Sequence, residues 1–192
     1  MMDKIVKIIS ETHRNKSYNE KYAFGNVYVF VKDSLPKDFN LDFVFKKAED
    51  FIPSHLIYGL DAIYIGEFDF LIKNKFTATY ADAALYITNR QLSEKDMIQD
   101  IVHEVSHMVE ENNFGDIYGD KSIESEFLKK RRSLNILLNS EGFRPPSMLM
   151  SKPEYNPHLD QFFIKTVGYP VLSTLINGIF NSPYAVTSLR EY

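Results

Sequence analysis

The sequence predicts an α+β fold in which a small, mostly antiparallel sheet is followed by a helical half. β-Branched and aromatic runs typical of strands fall between residues 20 and 90, and apolar residues at helical spacing dominate from Ser93 onward. The 192 residues are 44% hydrophobic and 25% charged, which is the composition of a globular chain. We therefore expect a single domain over residues 1–192, with a sheet-rich part at about 20–90 and a helical part at about 93–192.

The first half is expected to mix strands and helices. The run NVYVFV consists largely of β-branched and aromatic residues and predicts a strand. The run LDFVFKKAEDF has apolar residues at helical spacing and ends before Pro53, because the residue preceding a proline disfavours helix. In chain order we expect a helix over Asp3–Glu11, a strand over Asn26–Val31, a helix over Leu41–Phe51, and extended segments within Ile57–Phe70 and Phe76–Ile87.

The second half is expected to be helical. Ser93 is a good N-cap, and Asp96, three residues later, completes an approximate capping box. Ser182 followed by Pro183 is also a strong helix start, with serine as N-cap and proline at the first helical position. We expect helices over Ser93–Glu111, Ser122–Leu138 and Leu159–Asn177, a last helix that begins at Ser182, and a proline-rich loop over residues 142–158.

Composition excludes several classes of function. Without cysteine the chain has no disulfide scaffold, zinc finger or thiol nucleophile, so any metal must be held by His, Asp or Glu. The net charge of −4 argues against a nucleic-acid partner, and the short basic run at residues 129–132 is expected to be a solvated helix face. No apolar stretch is long enough to span a membrane, and the N-terminus does not resemble a secretory signal. We therefore expect an intracellular protein with no membrane partner.

The strongest motif is His103-Glu104-Val105-Ser106-His107, which has the H-E-x-x-H pattern. With the chain's content of histidine and glutamate, this pattern arises by chance in about one chain in a hundred. On a helix, two histidines four residues apart lie about 40° from each other and can converge on one zinc ion. Glu104 is offset by about 100° and can take a proton from water at the metal. Asp100, Glu110 and Glu111 are candidates to accept the outer imidazole N–H groups.

Spacing alone leaves two candidates for a third metal ligand. Glu126 lies nineteen residues after His107, the interval of thermolysin-like gluzincins, although residue 125 is serine where those proteins have asparagine. Helix-dipole and i, i+4 pairing also explain an acid at that position. The rival is Glu191, which lies seven residues after Tyr184 and would share a face with it on the last predicted helix. That pair would supply a carboxylate ligand and a phenol that stabilises an oxyanion.

The combination of the H-E-x-x-H helix with Tyr184-x6-Glu191, in the string SPYAVTSLREY, resembles the anthrax lethal factor-like clan, which includes the Pro-Pro endopeptidases. The resemblance implies His103, His107 and Glu191 as zinc ligands, Glu104 as general base and Tyr184 as oxyanion partner. It also implies that the strand before the active helix, at Ala83–Thr88, lines the substrate cleft and pairs with an extended peptide.

The sequence thus predicts a zinc metallopeptidase that binds one Zn²⁺ per chain and hydrolyses a peptide or protein substrate. Two alternatives stay open at this point. One is a thermolysin-like gluzincin with Glu126 as third ligand. The other is a catalytically silent protein that keeps the fold for interaction or structure.

Overall fold

The computed structural model describes residues 20–192, so the helix predicted for Asp3–Glu11 lies outside the described residues. The chain forms two compact units, of which the first ends at Asn112 and the second covers Asn113–Tyr192. The prediction of a single domain over residues 1–192 stays a prediction. Within residues 20–192, no helix combines the length and the apolar character that a membrane span requires.

The first unit contains a five-stranded mixed sheet in the order β1-β2-β3-β5-β4. The pairs β1/β2 and β4/β5 are antiparallel, whereas β2/β3 and β3/β5 are parallel. The α+β prediction is confirmed, but antiparallel pairs make up half of the sheet rather than most of it. The strands are β1 (Glu20–Ala23), β2 (Val27–Val31), β3 (Ala62–Gly66), β4 (Ala78–Ala81) and β5 (Ala84–Thr88).

Two long helices cover one face of this sheet. Helix α1 (Leu41–Phe51) has its predicted bounds, and the Asn40 side chain caps it by accepting from the Phe43 N–H at 3.0 Å. Helix α3 (Glu94–Asn112) lies within one residue of its predicted bounds. A short helix that the sequence does not predict, α2 (Asp69–Asn74), connects β3 and β4. Alternate strand residues pack against α1 and α3 in a continuous core: Val29, Ile63, Ile65, Leu85 and Ile87.

The second unit is helical, with a core of its own. The predicted helix over Ser122–Leu138 is confirmed, whereas the one over Leu159–Asn177 is wrong as a continuous helix because Gly168 interrupts it with a φ of 81°. The elements are α4 (Phe114–Tyr118), α5 (Ser122–Ser140), α6 (Ser147–Met150) within the proline-rich stretch, α7 (Pro157–Gln161), a π-helical segment (Phe162–Val167) and α8 (Tyr169–Leu175). Phe127, Leu134 and Leu138 of α5 are fully buried against α7, α8 and the π-helical segment.

The helix predicted from Ser182 onward is absent from the described structure. Two single 3₁₀ turns, Tyr184–Val186 and Leu189–Glu191, stand in its place. Ser188 separates them in an extended conformation, with φ −156° and ψ 166°. The prediction that Tyr184 and Glu191 share one helix face is therefore wrong. The backbone groups that a helix would pair internally bind elsewhere, as described below.

Candidate metal centre

Helix α3 carries the H-E-x-x-H motif, as the sequence predicts. Its start is the expected cap: the Ser93 hydroxyl accepts from the Asp96 N–H at 3.2 Å and donates to the Asp96 carboxylate at 2.8 Å. Met97, Ile101, Val105 and Met108 recur at helical spacing and are buried against the sheet. This packing fixes the rotation of the helix, so that the motif residues His103, Glu104 and His107 lie off the apolar stripe.

The two imidazoles of the motif converge. His103 Nε2 and His107 Nε2 are 3.1 Å apart. Two nitrogens bound to one zinc at 2.0–2.1 Å in tetrahedral geometry are separated by about 3.3 Å. The pair therefore already has nearly the spacing that a shared metal ion requires. His107 is buried at 7% exposure, whereas His103 is exposed.

One of the three predicted outer partners lies against the histidines. A carboxylate oxygen of Glu110 is 3.4 Å from His107 Nδ1, the nitrogen that faces away from His103. An acid at that nitrogen fixes the tautomer that leaves Nε2 available to a metal. Asp100 instead accepts from the Gln91 side chain at 2.8 Å, and burial raises the pKa of its carboxyl group.

Glu104, beside the two histidines, is 9% exposed. Its Oε2 accepts a hydrogen bond from the backbone N–H of Tyr80, in strand β4, at 2.7 Å. Burial raises the pKa of Glu104 above its usual value, while the Tyr80 hydrogen bond and the nearby imidazoles act in the opposite direction. A carboxylate whose pKa is raised toward neutrality is a better proton acceptor in catalysis than a fully solvated one.

The edge of the sheet nearest Glu104 is β4, not β5. Strand β5 pairs with β3 on one side and with β4 on the other, so the prediction that Ala83–Thr88 pairs with a peptide is wrong. The error arises because strand order depends on tertiary pairing, which hydrophobic periodicity does not encode. The Thr77 C=O accepts a hydrogen bond from the Thr88 N–H. Because residues of an antiparallel strand alternately face toward and away from their partner strand with their backbone groups, those of Ala78 and Tyr80 face away from β5. The Tyr80 hydrogen bond to Glu104 agrees with that direction.

Glu191, the third ligand that the resemblance implies, lies in the second unit, in the 3₁₀ turn Leu189–Glu191. Two neutral imidazoles and one carboxylate are a donor set that zinc accepts in catalytic sites. His103 and His107 on helix α3 are therefore two potential metal ligands of the first unit, and Glu191 as the third ligand stays a prediction.

Glu126, the rival third ligand, lies in helix α5 of the second unit. Its carboxylate accepts from the Tyr192 hydroxyl at 2.7 Å and pairs with Lys130 at 3.0 Å. Two interactions lower the pKa of Glu126: the larger is the hydrogen bond from Tyr192, and the next is the interaction with Lys130. The Tyr192 ring also contacts Phe127, with ring centroids 5.5 Å apart. Glu126 therefore binds Tyr192, the residue that follows Glu191.

Tyr184, the predicted oxyanion partner, lies in the first 3₁₀ turn and is 45% exposed. Its catalytic role stays a prediction. The Tyr184 carbonyl accepts from both the N–H and the hydroxyl of Thr187, which closes the turn.

Arg131 differs from the sequence prediction. The basic run at 129–132 predicts a solvated helix face, which is wrong for Arg131 because its side chain is 0% exposed. A signal for its burial is present in the sequence, since Phe127, Leu134 and Leu138 flank it at helical spacing on the apolar stripe of α5.

Helix α3 thus presents two converging imidazoles beside a buried glutamate. Comparisons with protein-family models, with curated proteins and with solved structures give no match. The resemblance to the lethal factor-like clan consequently rests on the motif residues. The finding that stands without it is the pair of converging imidazoles, His103 and His107, on helix α3.

Proposed function

We propose that this protein is a zinc-dependent peptidase in which His103, His107 and Glu191 hold the metal and Glu104 is the general base. The observation that carries the proposal is the 3.1 Å approach of His103 Nε2 and His107 Nε2 beside the buried Glu104 of the H-E-x-x-H pattern. Glu191 enters as the third ligand through the resemblance to the lethal factor-like clan. When bound at such a site, zinc supplies a Lewis acid that polarises a carbonyl and makes water more acidic.

Glu104 performs the proton transfers of this proposal. It accepts a proton from the attacking water and returns it to the nitrogen of the departing amine, so that the peptide bond is replaced by a carboxylic acid and an amine. Its burial favours proton uptake, and the Tyr80 N–H holds Oε2 so that the carboxylate keeps one orientation. Tyr184 is proposed to donate its hydroxyl proton in a hydrogen bond to the oxyanion.

The substrate is proposed to be an extended peptide that lies along β4. The backbone groups of Ala78 and the carbonyl of Tyr80 face away from β5, which places them at the edge of the sheet that the described residues form. A peptide that pairs with this edge runs beside Glu104, because Tyr80 contacts that residue directly.

Cleavage of a peptide library, measured together with zinc content, tests the proposal. The wild type is expected to bind zinc and cleave, and Glu104→Gln is expected to keep its zinc while cleavage falls by roughly 10²–10⁴-fold. Glu141→Gln is the matched control, because Glu141 is exposed and has no proposed role. A wild type that binds zinc but cleaves no peptide would identify a catalytically silent metal protein instead.

A further inference from the structure

Arg131 lies wholly inside the second unit, and its guanidinium is bound by backbone oxygens. Burying a charge is costly unless hydrogen bonds replace the lost water. Here burial lowers the pKa of Arg131 to about 10, so the side chain still carries its charge at neutral pH. The guanidinium carbon of Arg131 also lies over the Phe127 ring, 4.8 Å from the ring centroid. The guanidinium donates to the carbonyls of Val186 at 2.9 Å, Thr187 at 2.7 Å and Leu149 at 3.4 Å, and to that of Lys152.

Two of these carbonyls decide the conformation of the segment that ends at Glu191. In an α-helix from Ser182 onward, Val186 C=O would accept from the Arg190 N–H and Thr187 C=O from the Glu191 N–H. Arg131 occupies both carbonyls instead. The Leu189 N–H is likewise diverted, since it donates to Pro153 C=O at 2.7 Å.

We propose that Arg131 is a positioning residue for the metal ligand Glu191. Its hydrogen bonds to the carbonyls of Val186 and Thr187 prevent this segment from forming the helix that the local sequence favours. The segment forms the turn Leu189–Glu191 instead. This inference rests on the proposed function, because it takes Glu191 to be a ligand. The planar guanidinium suits the task, since its five donors fan out toward carbonyls from two separate parts of the chain.

The geometry argues for positioning rather than for stability alone. A buried charge is often replaced by an apolar side chain of similar size without loss of stability. In Arg131→Met, the carbonyls of Val186 and Thr187 can regain partners by pairing with the N–H groups of residues 190 and 191. That change makes the segment helical and moves Glu191, so the variant folds but binds metal less well.

Zinc affinity, measured by competition with a chelator, tests the inference. Arg131→Met is expected to bind zinc at least tenfold more weakly than the wild type, with Arg131→Lys in between because one ammonium cannot reach all four carbonyls. The visible spectrum of the cobalt-substituted protein should also change in Arg131→Met, because it reports the ligand set. Arg132→Met is the matched control: Arg132 is exposed on the same helix and should leave affinity unchanged.

A second control separates positioning from loss of stability. Leu138→Ala removes buried volume from the same helix and should lower the thermal midpoint while leaving zinc affinity unchanged. Wild-type zinc affinity in Arg131→Met would overturn the inference, as would equal weakening in Leu138→Ala. If Arg131→Met does not fold, wild-type affinity in Arg131→Lys overturns it. A wild type without zinc would instead overturn the proposed function.

Discussion

The backbone N–H of Tyr80 donates a 2.7 Å hydrogen bond to Oε2 of Glu104, and so joins the edge strand β4 to the H-E-x-x-H motif of helix α3. The same N–H faces away from β5, so it is not used by the sheet. One backbone group therefore sets the orientation of the proposed base and marks the edge along which the proposed substrate runs.

Replacing Tyr80 with proline tests this relationship. Proline removes the N–H without breaking a ladder bond, because an edge strand tolerates proline where the N–H faces outward. A hydrogen bond to a charged group contributes about 1.5–3 kcal/mol, so kcat/KM should fall by roughly ten- to hundredfold. The hydrogen bond lowers the pKa of Glu104, so its loss should move the acid limb of the pH profile to higher pH. Tyr80→Phe should behave as wild type, and an unchanged acid limb in the proline variant would contradict the account.

Tyr184→Phe tests the proposed oxyanion partner. Loss of one oxyanion donor lowers kcat by roughly 10²–10³-fold in enzymes of this general kind, and zinc content should not change. Tyr169→Phe is a suitable control, because Tyr169 is a comparably exposed tyrosine of the same unit. If kcat in Tyr184→Phe equals that of the wild type, Tyr184 has no part in catalysis.

Glu126 should stabilise the second unit only when it is ionised. Its pKa in the folded protein is lowered from the usual 4.5, first by the hydrogen bond from Tyr192 and then by Lys130. A lowered folded pKa contributes stability that is fully present above the unfolded value and is lost as pH falls through the folded value. The thermal midpoint of the wild type should exceed that of Glu126→Gln at neutral pH, and the difference should narrow below about pH 4. A difference in thermal midpoint that grows as the pH falls would contradict this prediction. Glu124→Gln serves as the control.

The turn between β4 and β5 is strained at an alanine. Asp82 and Ala83 have φ values of 50° and 60°, a conformation that costs an L-residue such as alanine roughly 1–2 kcal/mol and that glycine adopts freely. Ala83→Gly should therefore raise the free energy of unfolding by about 0.5–1 kcal/mol in urea titrations, after the greater entropy of unfolded glycine is subtracted. Ala81→Gly, within the strand, should destabilise the protein, and destabilisation in both variants would argue against this turn conformation.

Local signals predicted the elements that local interactions determine. Helix α1 has its predicted bounds because Asn40 caps it and Pro53 follows it closely. The cap at Ser93 and the apolar stripe of α3 likewise fixed the helix that presents His103 and Glu104. Sheet order was not predictable in this way, because parallel pairing depends on how α1 returns the chain from β2 to β3.

The C-terminal segment shows the limit of local reasoning. Ser182 and Pro183 are a good helix start, but Arg131, more than fifty residues earlier, binds the carbonyls that the helix needs. The basic run at 129–132 predicts a solvated surface, whereas the apolar residues at helical spacing around Arg131 indicate a buried position. Glu191 as a metal ligand stays a prediction, which rests on the resemblance.

Zinc content per chain, measured by elemental analysis on the wild type, Glu191→Ala and Glu126→Ala, tests the central claim most directly. The account predicts about one zinc in the wild type and in Glu126→Ala, and loss of zinc in Glu191→Ala. Zinc retained in Glu191→Ala, or lost only in Glu126→Ala, would contradict the assignment of Glu191 as the third ligand. A wild type that holds no zinc would contradict the metal site itself.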